Sequence, residues 1–192
     1  MDNSNVTKIL KLAVTLALIC MVAGGGLALT YAATEKQIAK QAREEEMKSN
    51  KTAFPLVKKS NDFKVRNDLA AKARKKYKNV IKIYECSKNG EKVGWVVQVT
   101  PRGYGGPLVF AVGIDINGKV TGISIIDNKE TPGLGQNVEK REFQKQFKGK
   151  ETGEPLEVGK DIDALTGATI SSKAITLGVK EALQAMEILG GK

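Results

Sequence analysis

The sequence predicts an α+β fold, in which one N-terminal transmembrane helix precedes an antiparallel-sheet domain that ends in a C-terminal helix. Residues 12–33 form an uncharged, mainly apolar run. Residues 80–126 alternate between apolar segments and turn dipeptides, and residues 171–189 repeat apolar side chains at helical spacing. We divide the chain into an N-terminal tail and transmembrane anchor (1–34), a stalk and basic helical segment (35–78) and a soluble domain (79–192).

The apolar run from Leu12 to Ala33 predicts the anchor. As a helix with a rise of about 1.5 Å per residue it spans roughly 30 Å, which is enough for a bilayer core. A cleaved signal peptide is the alternative, but its apolar region is normally about 7–15 residues long and ends at a small-x-small cleavage site. This run is longer and ends in LTYAAT, residues 29–34, which is a poor cleavage site. The sequence therefore favours an uncleaved anchor.

The segment between the anchor and the sheet predicts two helical stretches. Residues 35–51 are polar and rich in helix-forming residues, so we expect them to continue the anchor as a stalk until Pro55 interrupts it. Residues 64–78 predict a basic helix, because Val65, Leu69 and Ala73 are four residues apart.

Two hairpins are predicted between residues 80 and 126. One strand begins at Val80, and further strands cover residues 93–99, 108–116 and 120–126. Asn89-Gly90 marks the first turn. Asn117-Gly118 predicts a type I′ turn, in which both central residues have positive φ. Trp95 and Phe110 are expected in the core.

Two helices are predicted after the hairpins, a short one over residues 138–147 and a long amphipathic one over residues 171–189. The apolar positions of the long helix recur at helical spacing and are Ile175, Val179, Ala182, Leu183, Met186 and Leu189.

Composition excludes several kinds of site. The chain has no histidine, which excludes a His-based triad and a His-ligated zinc site. Its two cysteines, Cys20 and Cys86, cannot supply the four thiolates of an iron–sulfur cluster and are expected to stay unpaired. Nucleic-acid binding is not indicated, because lysines and arginines are barely interleaved with aromatic residues.

The formal charge of +10 arises in residues 1–100, since residues 101–192 contain 12 basic and 12 acidic residues. A basic stretch beside a membrane could contact lipid headgroups or an acidic partner, and it could equally be a solvated surface.

The segment DALTGATISS, residues 163–172, carries the strongest chemical signal. It is a turn of small residues that leads into the N-terminus of the last helix. Gly167 and Ala168 allow a ligand to approach the backbone, and free N–H groups with the helix dipole favour a phosphate there. An ordinary helix cap by one of the hydroxyls of Thr169, Ser171 or Ser172 is the alternative.

Two upstream loops, GYGGPL at residues 103–108 and ETPGLG at residues 130–135, are rich in glycine and proline. Such sequences form turns, because proline fixes φ and glycine accepts positive φ. Their small side-chain bulk also allows them to lie flat against a ring system.

The turn at residues 163–169 resembles the flavinylation motif of FMN-binding domains, Asp-x-x-(Ser/Thr)-Gly-Ala-Thr. With the two upstream loops and the anchor, the chain resembles the G subunit of the Rnf electron-transport complex and the related C subunit of the sodium-translocating NADH:quinone reductase. The resemblance covers roughly residues 1–190 and makes residues 79–192 the FMN-binding domain. It implies that Thr169 receives FMN from FAD, through a flavin transferase, as a covalent phosphothreonyl ester. The recognition frame would be Asp163, Thr166, Gly167 and Ala168.

The same resemblance implies residues that line the flavin ring or its ribityl chain or lie nearby: Glu130, Thr131, Gly133, Leu134 and Gly135, with Tyr104, Gly105, Gly106 and Pro107. Ordinary loop structure is the alternative for Glu130 and Tyr104. Many relatives have a histidine where this chain has Asn128, so a pH-linked role of that histidine is absent here. Lys129 and Lys173 could stabilise a reduced flavin or the phosphate, or be surface lysines.

The function implied is that of a membrane-anchored electron carrier in an ion-translocating ferredoxin:NAD+ oxidoreductase, with the other membrane and peripheral Rnf subunits as partners. The resemblance implies a single-pass protein of the inner membrane, with residues 35–192 extracytoplasmic. NAD should bind another subunit, because the chain lacks a Gly-x-Gly-x-x-Gly fingerprint. The alternatives are an FMN-domain carrier that serves another acceptor, such as a quinone, and a non-redox membrane-anchored scaffold module.

Overall fold

The computed structural model describes the backbone of residues 3–190 and the side chains of residues 7–190. The chain forms two compact units, one up to Glu44 and one from Glu45 onward. Helix α1 (Asn3–Ala53) supplies the described part of the first unit and continues to Ala53, so residues 35–51 are helical, as predicted. Its stretch from Thr7 is long and apolar enough, by length and composition, to cross a membrane once.

The second unit contains a five-stranded antiparallel sheet whose strands follow one another in sequence order. The strands are β1 (Phe63–Val65), β2 (Val80–Lys88), β3 (Glu91–Val99), β4 (Leu108–Asp115) and β5 (Val120–Asn128). The four strands expected from the sequence, and the α+β class, are therefore confirmed.

The predicted helix over residues 64–78 is wrong at its start. Lys64 and Val65 belong to β1, which pairs with β2. Helix α2 covers only Asn67–Arg74. A strand of three residues is too short to show an alternating pattern. Its pairing is reinforced from outside the strand, because the Arg66 guanidinium donates a hydrogen bond of 2.6 Å to Oε2 of Glu85 on β2.

The type I′ turn expected at Asn117-Gly118 is also wrong. Gly118 has a φ of +82°, but Asn117 does not take a positive φ. The Asp115 carboxylate accepts hydrogen bonds of 2.9 Å from the N–H groups of Asn117 and Lys119, so it supports a longer turn. Asn89 and Gly90, by contrast, both have positive φ.

The short helix expected over residues 138–147 is smaller than predicted. A 3-10 turn covers Gly135–Glu139, Lys140 is extended, and helix α3 covers only Arg141–Lys145. Phe143 and Phe147 are buried with their rings edge to face, so packing rather than helix length holds this segment. The last helix, α4 (Thr169–Ile188), confirms the longest helical prediction.

Helices α2, α3 and α4 share one hydrophobic cluster with one face of the sheet. Phe110 and Trp95 both lie in this cluster, as expected from the sequence. The α4 backbone approaches the Phe110 ring at Gly178, where a Cβ atom would lie 2.6 Å from the ring. The absence of a side chain at Gly178 therefore allows α4 to pack directly on the Phe110 ring.

The last residues of α1 pack on the opposite face of the sheet. Ala53 and Phe54 are fully buried there, and a side chain at Gly113 would collide with the Ala53 carbonyl. Glu46 accepts hydrogen bonds of 2.6 Å from both Lys82 and Tyr84 on β2. Burial alone would raise the pKa of Glu46, but the hydrogen bonds from Lys82, Tyr84 and Gln98 and the positive charge of Lys82 together hold the pKa below its usual value. Residues 45–53 are therefore part of the folded unit.

Candidate functional site

A cleft of about 410 Å³ lies where the three segments singled out in the sequence meet. Eight of the predicted site residues line it: Tyr104, Glu130, Thr131, Leu134, Gly135, Gly167, Ala168 and Thr169. Ile170 and Ser171 complete the lining and were not predicted as site residues. The sheet and α4 thus bring together segments that are more than sixty residues apart in sequence.

Thr169 is the first residue of α4, and its side chain is exposed at the cleft. Ala168 occupies the cap position, and no side chain caps the helix there. Within the part of the chain that the structure describes, the Thr169 hydroxyl has no hydrogen-bond partner, so its interpretation as a helix cap is wrong.

The two neighbouring serine hydroxyls are already engaged. Ser171 is buried and donates a hydrogen bond of 2.8 Å to Oε2 of Glu130. Ser172 is fully buried, donates 3.0 Å to the Ala168 carbonyl and accepts 3.1 Å from the Leu165 N–H. Of the three hydroxyls at this helix start, that of Thr169 alone is exposed and without a hydrogen-bond partner among the described residues.

Backbone N–H groups point out of the same helix start. Between residues 3 and 190, no acceptor contacts the N–H of Thr169, Ile170 or Ser171. Such unpaired donors, together with the positive end of the helix dipole, favour a phosphate group. Gly167 takes a φ of +75°, and a Cβ atom there would lie 2.9 Å from Leu134, so this turn suits glycine.

Glu130 joins the three segments. Its side chain is buried, Oε1 accepts a hydrogen bond of 3.2 Å from the Gly105 N–H, and Oε2 accepts the one from Ser171. A side chain at Gly103 or Gly135 would collide with the Glu130 side chain in its present position, so glycine at these points makes room for the carboxylate. In the sequence, these glycines suggested a ligand site. In the structure, they also leave space for the buried Glu130 carboxylate.

Several predicted residues do not line the cleft. These are Gly105, Gly106, Gly133, Asp163 and Thr166. The Asp163 side chain is exposed, while its backbone exchanges hydrogen bonds with the Gln146 amide. Gly106 accepts from the Gly103 N–H at 2.8 Å and closes the first loop. A role for these residues in recognition by a maturation enzyme stays a prediction.

Asn128 has a structural part that the sequence did not reveal. Its side chain accepts a hydrogen bond of 3.0 Å from the Glu130 N–H and donates 2.9 Å to Glu139. These two hydrogen bonds connect the backbone at Glu130 to Glu139 and so help to fix the loop at residues 130–135. Lys129 and Lys173 are both exposed, in keeping with surface lysines.

Three large side chains leave apolar surface exposed at the cleft: Tyr104 at 73%, Leu134 at 49% and Ile170 at 53%. Ile170 lies off the apolar stripe of α4, which is the sequence signal that could have identified it. The cleft therefore has an apolar side suited to a flat ring and a polar helix start suited to a phosphate.

Comparison with known proteins assigns the family. The model of the FMN-binding domain matches residues 103–184, and that of the RnfG N-terminal region matches residues 1–50. The G subunit of the Na(+)-translocating ferredoxin:NAD(+) oxidoreductase complex of Acetobacterium woodii is 33% identical over 94% of this chain and 93% of its own length. The chain belongs to the RnfG family of ion-translocating oxidoreductase subunits.

Other relatives agree with this assignment. The G subunit of the ion-translocating oxidoreductase complex of Aliivibrio fischeri is 32% identical over 92% of this chain and 90% of its own length. The G subunit of the proton-translocating ferredoxin:NAD(+) oxidoreductase complex of Clostridium ljungdahlii is 44% identical over 57% of this chain, and the match spans 62% of that relative. A crystal structure of the C subunit of the Na(+)-translocating NADH-quinone reductase from Parabacteroides distasonis shares the fold, with a TM-score of 0.57 and 18% identity over 79% of this chain and 94% of that one.

The residues of the cleft fit FMN. Its size, its apolar side and its unpaired backbone donors correspond to the ring and the phosphate of that cofactor. The described residues contain no group of three or more acidic or cysteine side chains placed to hold a metal ion. This member of the RnfG family is therefore a flavoprotein with one membrane-spanning candidate helix.

Proposed function

We propose that this chain is a membrane-anchored electron carrier of an ion-translocating ferredoxin:NAD+ oxidoreductase and that its FMN is covalently attached to Thr169. The observation that supports this best is the state of three hydroxyls at one helix start. Ser171 and Ser172 are buried and hydrogen-bonded, whereas Thr169 is exposed at the cleft without a partner among the described residues. Family membership supports the cofactor class, and the exposed Thr169 hydroxyl at the cleft supports the proposed attachment point.

The attachment is a phosphoryl transfer. The Thr169 oxygen attacks the FMN-side phosphorus of FAD, a P–O bond to that phosphorus forms, and the pyrophosphate bond breaks. AMP leaves, and the hydroxyl proton is released. The N–H groups of Ile170 and Ser171 have no acceptor among the described residues and belong to the same first turn of α4 as Thr169, so they would stabilise the phosphodiester charge. The flavin transferase that catalyses the step is a proposed partner.

The protein contributes binding and orientation, while the flavin contributes the ability to take up one or two electrons. Tyr104, Leu134 and Ile170 would bury the apolar parts of the ring, because their side chains are exposed around the cleft. Covalent attachment suits this task, since a carrier that is reduced and oxidised repeatedly must not lose its cofactor. No side chain of the chain needs to act as an acid or base.

The proposed partners are the other membrane and peripheral subunits of the complex, together with the lipid around α1. NAD+ would bind another subunit, since the chain has no dinucleotide fingerprint, and with two cysteines it cannot hold an iron–sulfur cluster of its own. The stretch of α1 from Thr7 would place the protein in the cell membrane with a single crossing.

Flavin attachment is tested by co-expression of the full chain with a flavin transferase, followed by denaturing electrophoresis. We expect a yellow-fluorescent band at the position of the chain, because a phosphodiester bond survives denaturation. The control is expression without the transferase, which should give no fluorescent band. A dark band in the presence of a transferase that flavinylates another substrate would reject the flavin function and favour the scaffold alternative.

The orientation is a separate prediction. We expect the N-terminus in the cytoplasm and residues 35–192 outside, because the flavin transferase of the family acts on the extracytoplasmic side. Alkaline phosphatase fused after Lys192 should be active, and green fluorescent protein at the same position should stay dark when exported through the general secretion pathway. The reverse pair of results would place the soluble unit in the cytoplasm.

A further inference from the structure

Glu130 is the one charged side chain that is buried among the described residues, and it lies in the wall of the cleft. Only 3% of it is exposed. No lysine or arginine within residues 7–190 forms an ion pair with it, although such pairs occur elsewhere on the surface. A buried acid without a cation partner is costly, because low-polarity surroundings disfavour charge. Because this arrangement is costly, we expect Glu130 to have a functional role at the cleft.

Two hydrogen-bond donors hold the Glu130 carboxylate in place. Oε1 faces the Gly105 N–H at 3.2 Å and Oε2 faces the Ser171 hydroxyl at 2.8 Å. The backbone N–H can only donate, so Oε1 is an acceptor in this contact. Oε2 also lies at the N-terminal end of α4, where the helix dipole favours a negative charge. The carboxylate is thus held by dipoles, which leave its net charge uncompensated.

We propose that Glu130 sets the reduction potential of the bound FMN by holding a fixed negative charge in the wall of the cleft. This inference rests on the proposed function, since it requires flavin in that cleft. Reduction adds negative charge to the cleft, and a buried charge of the same sign opposes that addition more strongly than an exposed one would. Glu130 therefore lowers the potential, which makes the carrier a stronger electron donor.

The exposed charges nearby cannot replace this effect. Asp127 and Lys129 lie 3.9 Å apart on the surface, and their side chains are 52% and 62% exposed. Solvent and salt screen such groups, and the two opposite charges largely cancel. Glu130 differs in burial, in the absence of an ion pair and in its position on the cleft wall.

The test is a redox titration of the full-length flavinylated protein in detergent, with dithionite as the electron source and mediator dyes. Each flavin takes two electrons from dithionite and one proton from solvent, so its net charge becomes more negative by one. Glu130→Gln keeps the side-chain shape and removes the charge, so the midpoint potential should become more positive. Asp127→Asn removes a carboxylate that is exposed, and it should leave the potential unchanged.

A second variant covers the case in which Glu130→Gln fails to fold or to carry flavin. Ser171→Ala removes one donor from the carboxylate and retains the charge, so at about pH 8 the potential should become more negative. An unchanged potential in flavinylated Glu130→Gln, or an unchanged or more positive potential in Ser171→Ala, would overturn the proposal. Absence of flavin from the unmodified protein would instead reject the proposed function, so the two failures are distinguishable.

Discussion

Replacement of Thr169 by alanine is expected to abolish covalent flavin attachment completely. The hydroxyl oxygen is the atom that would bond to phosphorus, and the two serine hydroxyls of the same helix turn are buried in other hydrogen bonds. In-gel flavin fluorescence after co-expression with the transferase should therefore fall to the level seen without transferase. The fold should be unaffected, because the Thr169 side chain is exposed and makes no hydrogen bond in the described structure.

Ser171→Ala is the matched control, since it removes a hydroxyl two residues further along the same helix. We expect this variant to retain in-gel fluorescence, because Ser171 contacts Glu130 rather than the reacting atom. Circular dichroism of both variants separates loss of attachment from loss of folding. Full fluorescence in a folded Thr169→Ala protein would show that another residue carries the flavin.

The second large effect is expected from Phe54→Ala. Phe54 follows α1, is fully buried, and packs with Val57, Phe63 and Val96 on the sheet face opposite α4. Removal of a buried phenyl ring should lower the free energy of unfolding of the second unit by about 3–5 kcal/mol. Denaturant titration of the flavin-free chain in detergent measures it, because Trp95 is the sole tryptophan and is buried in that unit.

Leu56→Ala provides the comparison for Phe54→Ala. Leu56 is 52% exposed and only two residues away, so we expect a change within about 0.5 kcal/mol. Equal and small effects of both substitutions would mean that the end of α1 does not stabilise the sheet. A large effect confined to Phe54 would show that the segment after α1 stabilises the sheet.

Much of the architecture could be predicted because its signals are local. The apolar run of residues 12–33, the alternating strands and the stripe of α4 each express one periodicity over many residues. The strand β1 and the extent of α3 could not be predicted, because each is short and held by tertiary contacts. The turn at Gly118 was misassigned because the Asp115 carboxylate, and not the dipeptide alone, determines its shape.

The site, like the fold, has features that the sequence predicts and features that depend on tertiary contacts. Family motifs placed Thr169, Glu130 and Leu134 together, and the structure brings all three to one cleft. The motifs could not reveal that Glu130 is buried and bonded to Ser171, since the two residues are 41 positions apart. The helical periodicity of α4 does not include Ile170, so this residue could be identified from the sequence only as an apolar side chain that lies off the stripe.

The most direct test of covalent flavin at Thr169 is peptide mass spectrometry of the chain co-expressed with a flavin transferase. Trypsin should release residues 161–173, which contain Thr166, Thr169, Ser171 and Ser172. We predict that this peptide carries the mass of FMN less one water and that fragmentation assigns the addition to Thr169. An unmodified peptide from fluorescent protein, or an addition assigned to one of the other three hydroxyls, would contradict the attachment proposed here.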